Sequence, residues 1–152
     1  MEESRDYLIE RLSGDGKVEE LKKLLEAKHT QEEIDIALGI AIAYSRIKTA
    51  TYLISLGADI SYQDYDGVYY AVHNNEFEGF LFAMKQGVDV NINNGQLLNT
   101  AIITAFNTKD STILEYLLKN GADSSLLSEE IMNAFGTKEL KKIITNATQQ
   151  GA

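Results

Sequence analysis

With 152 residues, 44% of them hydrophobic and 24% charged, the chain has the composition of a globular protein rather than a disordered one, and it is long enough to bury a core as a single domain, 1–152. It has no cysteine, which excludes disulfides, thiolate chemistry and cysteine metal sites. The net charge is −9, and from Asp59 to Asn99 six acids (Asp59, Asp64, Asp66, Glu76, Glu78, Asp89) stand against one base, Lys85, which argues against duplex nucleic acid as the main partner and for a basic protein.

Apolar residues recur at spacings of three and four, which gives each of several segments one apolar helix face. The first such helix is predicted over 17–27, from Gly16-Lys-Val-Glu-Glu-Leu-Lys-Lys-Leu-Leu-Glu-Ala27. The next falls over 47–56, with Ile47, Ala50, Leu53 and Ile54 on one side, and a third over 77–86, with Phe77, Phe80, Leu81 and Met84. Ile113, Leu114, Leu117 and Leu118 mark a fourth over 111–120, and Gly136-Thr-Lys-Glu-Leu-Lys-Lys-Ile-Ile144 a fifth over 137–147. On this pattern Leu53, Leu81 and Leu117 should be buried.

A shorter apolar segment precedes several of these helices: 36–43, 67–72 and 100–106. Small residues recur inside them (Ala37, Gly39, Ala41, Ala71, Ala101, Ala105), as close packing of two helices requires. Of the paired Tyr69 and Tyr70, at least one is expected in the core. The glutamate pairs Glu32-Glu33 and Glu129-Glu130 open segments, where they complement helix N-termini.

Three of the longer helices close on one recurring tail: Gly57-Ala-Asp59, Gly87-Val-Asp89 and Gly121-Ala-Asp123. The glycines are 30 and 34 residues apart, a period characteristic of stacked-repeat architectures. Each sits where a helix ends in the left-handed conformation, which a residue without Cβ adopts at least cost.

The unit of short helix, turn, longer helix, glycine and polar loop resembles the ankyrin repeat. The Gly-x-Asp tails match the most specific part of that family's pattern, and Thr100-Ala-Ile-Ile103 matches its T-P-L-H element at the threonine. The chain departs from the pattern in having no proline, and Gly39, Tyr69 and Ile103 stand at the family's histidine position. The resemblance implies an all-α, ankyrin-like solenoid of stacked antiparallel helix pairs with repeats near 6–30, 31–60, 61–91, 92–125 and 126–150, the first and last capping the array. It further implies non-catalytic protein–protein recognition, as an adaptor or scaffold. The alternative is a dedicated inhibitor, of the immunity-protein kind, that blocks a basic toxin or enzyme; an enzyme is the third reading.

No motif for chemistry is present: G-x-S-x-G, H-E-x-x-H and P-loop sequences are all missing. The faint calcium-loop strings beginning at Asp64 and Asp89 misplace the glycine and lack the closing glutamate. No catalytic residue, metal, cofactor or small-molecule substrate is expected. His29 reads as a cation at a helix C-terminus. The opening Met1-Glu-Glu-Ser-Arg-Asp6 lacks the apolar core of a secretory signal, and no apolar run approaches the roughly 20 residues needed to span a bilayer. A cytoplasmic protein without a membrane partner is the expectation, although zero cysteine fits a secreted effector as well.

The resemblance places a concave binding surface on loop residues near 32–35, 62–66 and 94–99 and on the ends of the first helices near 43–44, 73–74 and 107–108. Within it, Tyr62, Asp64, Tyr65, Asp66, His73 and Asn74 are expected to form one partner-binding patch. Tyrosine offers apolar anchoring with a hydroxyl, and the aspartates select a basic partner.

Overall fold

The computed structural model describes residues 3–150, and these are all-α: nine α-helices, one short 3-10 turn and no strand among the described residues. By its contacts the chain divides into two units, Met1–Lys85 and Gln86–Ala152.

The first unit holds six helices: α1 (Arg5–Gly14), α2 (Val18–Ala27), α3 (Gln31–Ala43), α4 (Ile47–Ser55), α5 (Tyr62–His73) and α6 (Phe77–Lys85). Each odd-numbered helix packs against the one that follows it. Helix α3 packs on both α1 and α5, while α4 touches α2 and α6. The core follows the apolar spacing: Ile9 and Leu12 from α1, Leu21 and Leu25 from α2, Ile34, Leu38 and Ile42 from α3. Leu53, Val68, Val72 and Phe80 complete it, all without solvent exposure.

The second unit holds α7 (Ile92–Thr108), α8 (Thr112–Lys119), a 3-10 turn at Ser124–Leu126, and α9 (Glu129–Gln150), which is broken at Gly136 with φ 72°. Helix α8 packs against α7 and α9. Its core is formed by Leu97, Leu98, Ile102, Leu114 and Leu117, with Ile131 and Leu140 from α9.

The recurring tail has one geometry in three places. Gly57, Gly87 and Gly121 have φ of 91°, 94° and 92°, and a Cβ at any of them would meet nothing within 4 Å. Backbone conformation alone therefore asks for glycine there. The aspartate two residues on caps its own turn. Asp59 Oδ1 accepts from the Ser61 backbone N–H and hydroxyl, Asp89 Oδ1 from the Asn91 N–H, and Asp123 Oδ1 from the Ser125 N–H and hydroxyl. In the first unit the tail also bonds back to the start of its helix pair: Gln31 donates to the Gly57 carbonyl, and the Asp59 N–H donates to Asp35 at 2.7 Å. In the second unit Asn91 does both, donating to the Gly121 carbonyl and accepting from the Asp123 N–H.

The Ser61 hydroxyl and N–H hold the Asp59 carboxyl below its ordinary range, and the Ser125 pair does the same for Asp123. A carboxylate whose pKa is depressed in the folded state contributes stability above its unfolded value and loses it as pH falls through the folded one. Asp59→Asn, which keeps an acceptor oxygen, should therefore flatten the decline in urea midpoint below about pH 4, while Asp59→Ala lowers the midpoint at pH 7 as well. A decline as steep in Asp59→Asn as in the parent chain would remove the turn from the acid response.

Several expectations need correction. Leu81 is only half-buried, and α6 turns Gly79, Phe80, Ala83 and Met84 inward instead. Neither Tyr69 nor Tyr70 is in the core; α5 buries Gly67, Val68, Ala71 and Val72, which leaves 69 and 70 on the outward side. Residues 32–35 are helical, because Thr30 and Glu33 form a reciprocal capping box that starts α3. Residues 96–99 are helical too. Thr100 does not open its helix; it lies inside α7, its hydroxyl donating to the Gln96 carbonyl.

Candidate functional site

The α3–α5 contact is shaped by two glycines. A Cβ on Gly67 would fall 2.5 Å from Gly39 Cα, so the two backbones cross where position 67 has no room for a side chain. Beside this crossing the flanking side chains leave a cleft of about 310 Å³ in the first unit.

Its floor is aliphatic: Ile36, Gly39, Ile40 and Ala43 of α3 with Gly67 of α5. Three tyrosines stand around it, Tyr44 at the end of α3 and Tyr62 and Tyr70 of α5. Tyr44 is 52% exposed and Tyr70 45%, high values for residues so rich in apolar area. The polar groups are Glu10 from α1, Asp35, Asp66 and Asn74.

These positions follow from helix geometry. Asp66, Tyr70 and Asn74 succeed one another at intervals of four, so they share one ridge of α5. Tyr69 and His73 lie on the neighbouring ridge. Tyr70 is braced from its own helix, edge-on to Tyr69 at 4.9 Å and to His73 at 6.3 Å.

Upstream of this ridge the chain takes an uncommon path. Gln63, Asp64 and Tyr65 all have left-handed backbones, with φ of 53°, 53° and 63°. Thirty residues on, Asn93, Asn94 and Gly95 repeat the turn with residues that tolerate it better. At 63–65 non-glycine side chains hold a conformation that costs about 1–2 kcal/mol per residue, beside the mouth of the cleft.

Of the six residues expected to form the site, the cleft gathers Tyr62, Asp66 and Asn74. Asp64 and Tyr65 sit in the left-handed turn, Asp64 exposed and Tyr65 half-buried, and neither lines the cleft. His73 is exposed with its ring stacked on Tyr69, 5.8 Å between centroids, and it too stands outside the cleft. His29 lies at the end of α2 within 2.9 Å of the Leu25 carbonyl.

The electrostatics are one-sided. Arg5 is engaged by Glu33 at 2.7 Å and by the Lys28 carbonyl, and Arg46 donates to the Gly14 carbonyl. The Arg5 guanidinium holds the Glu33 carboxyl below its ordinary range. Among the described residues neither Glu10 nor Asp66 forms an ion pair. No protein-family model matches the chain, and no curated protein matches it. Among the described residues no helix is long and apolar enough to cross a membrane, and no cluster of three or more candidate ligands could hold a metal ion.

Asp35 and Tyr44 fall in the wider concave surface expected near 32–35 and 43–44, whereas Tyr70 and Glu10 were not expected. The interval of four through Asp66, Tyr70 and Asn74 was the available signal for Tyr70. Glu10 and Tyr44 reach the cleft from α1 and α3, and no spacing within α5 points to them.

Proposed function

We propose that this chain is a non-catalytic protein-recognition module, an ankyrin-like array of helix pairs that holds a basic protein partner as an adaptor or scaffold in the cytoplasm. The observation that carries this reading is the α3–α5 cleft, which joins an aliphatic floor, exposed tyrosines and carboxylates with no ion-pair partner among the described residues in one place. Exposed aromatic residues around an apolar centre, with charge at the rim, are the makings of an interface hot spot. The repeated Gly-x-Asp tails, two of which bond back to the start of their own pair (α3–α4 and α7–α8), support the repeat reading.

The same acidic cleft suits a dedicated inhibitor that caps a basic toxin or enzyme, and that reading is favoured by Glu10 and Asp66 having no ion pair among the described residues. Affinity capture from the native source, followed by mass spectrometry, tests the shared claim. A basic protein retained saturably is the expected result; if it is an enzyme silenced by the complex, the inhibitor reading stands over the scaffold. No saturable partner at all would end the recognition reading.

With a partner in hand, surface plasmon resonance at two salt concentrations separates the roles of the side chains. Tyr70→Ala, which removes a cleft tyrosine, is expected to speed dissociation, and Asp64→Asn with Asp66→Asn to slow association chiefly at low salt, since rim charges steer encounter and anchors hold the complex. Unchanged kinetics in both would move the binding surface away from α5 and its preceding turn.

A further inference from the structure

We infer that the α3–α5 cleft is a socket for an arginine side chain presented by the partner, an assignment that rests on the protein-recognition reading and gives it a specific chemistry. Three features of the cleft converge on guanidinium rather than on cations in general. Its floor of Ile36, Ile40 and Ala43 suits the methylene stem of a long cationic side chain, which buries its carbons while the head stays polar. Tyr44 and Tyr70 line the cleft and are about half exposed, and a planar guanidinium stacks on tyrosine where a compact, strongly hydrated ammonium does so less well. Glu10 and Asp66 supply carboxylates that no basic group among the described residues pairs with, and carboxylates receive a guanidinium through two parallel hydrogen bonds. Asn74 adds a side-chain carbonyl acceptor beside them.

Charge across the site admits no other class of side chain. No lysine or arginine is among the described residues that line the cleft, so an incoming acid would meet carboxylates and phenols with one amide, Asn74. An uncharged apolar side chain would fill the floor and leave Glu10 and Asp66 unanswered. The volume of about 310 Å³ accommodates one extended side chain and its flanking backbone rather than a whole helix.

The test is an amide-resolved NMR titration of the full chain with the peptide acetyl-Gly-Ile-Arg-Ile-Gly-amide, run beside its lysine and citrulline counterparts. The arginine peptide should produce saturable shifts centred on α3 residues 36–44 and α5 residues 66–74. The lysine peptide should bind about tenfold more weakly, the worth of roughly one lost charge-assisted contact. Citrulline, which keeps the shape and loses the charge, should not saturate. Tyr70→Leu should erase the preference of arginine over lysine, and Glu10→Gln with Asp66→Asn should weaken both cationic peptides at least tenfold. All three side chains are at the surface, and a dispersed spectrum verifies the fold of each variant before titration. Equal binding of arginine and lysine, shifts centred elsewhere, or the absence of saturable binding would each overturn the socket. A captured partner that ignores these substitutions would remove the socket and leave protein recognition standing, whereas the lack of any partner strikes at recognition itself.

Discussion

Gly79→Ala is expected to lower stability by at least about 2 kcal/mol, against the gain of about 1 kcal/mol that alanine normally brings to a helix interior. The first turn of α6 runs directly over the end of α3. The Gly79 N–H donates to the Ser45 hydroxyl at 2.8 Å, and a Cβ at 79 would fall inside the Ile42 carbonyl oxygen. That obstacle is backbone, so it cannot swing away as a side-chain tip could. The Ser45 Oγ would also lose its partner as α6 lifted. Glu78→Ala, one residue earlier and exposed, is the control and should change little. The glycine pair in the cleft offers a second comparison. Gly67→Ala should cost as overpacking does, about 1–3 kcal/mol, because its Cβ meets Gly39 Cα and carbonyl at 2.5 and 2.6 Å. A Cβ on Gly39 comes no closer than 3.7 Å to Gly67, an ordinary contact, so Gly39→Ala should be tolerated. Urea unfolding of the four variants tests this order. A Gly79→Ala chain as stable as its parent would mean that α6 does not approach the α3–α4 turn this closely.

The second helix of a pair was most legible where two independent signals agree. Amphipathic spacing sets the buried face and a left-handed glycine sets the end, so predictions of 47–56 and 77–86 met helices at Ile47–Ser55 and Phe77–Lys85; 17–27 met Val18–Ala27 on spacing alone, with extended Lys28 in place of the glycine. Of the first helices, α3 and α7 are longer than the helices that follow them, not shorter as expected, and those at 36–43, 67–72 and 100–106 were found but begun too late. Their opening turns are polar, and polarity alone reads as loop. What makes 31–35 helical is the Thr30–Glu33 capping box; what sets the path before Asp66 and Gln96 is a left-handed turn, a backbone event with no apolar signature. The turns inside the pairs show the same limit. Ser45, Asn75 and Lys109 take positive φ, and of these only asparagine commonly does so. The site was legible in half for a related reason. Tyr62, Asp66 and Asn74 lie along or at the end of one element, whereas Glu10 and Tyr44 reach the cleft only because α1 and α3 pack where they do.

Phe80→Ala should be the most damaging single truncation in α6, at about 3–5 kcal/mol, while Leu81→Ala should cost no more than roughly 1 kcal/mol. The contrast turns on which ridge of α6 faces inward, and spacing alone could not decide it. Phe77, Phe80, Leu81 and Met84 fit an apolar face at intervals of three and four, and that face would bury both 80 and 81. The helix instead buries Gly79, Phe80, Ala83 and Met84, so its inward centre is rotated toward its two smallest residues. The rotation has a physical cause in the contact at Gly79. A helix that must bring its backbone against the Ile42 carbonyl has to present its glycine there, and with 79 and 83 turned inward Leu81 is left at the edge. Phe80 is fully buried and its ring lies 6.3 Å from that of Phe77, so removing it empties a volume that a helix held this close cannot relax to fill. Urea midpoints for the two truncations decide the matter. If Leu81→Ala costs as much as Phe80→Ala, the helix is turned the other way, and the expected penalty at Gly79 falls with it.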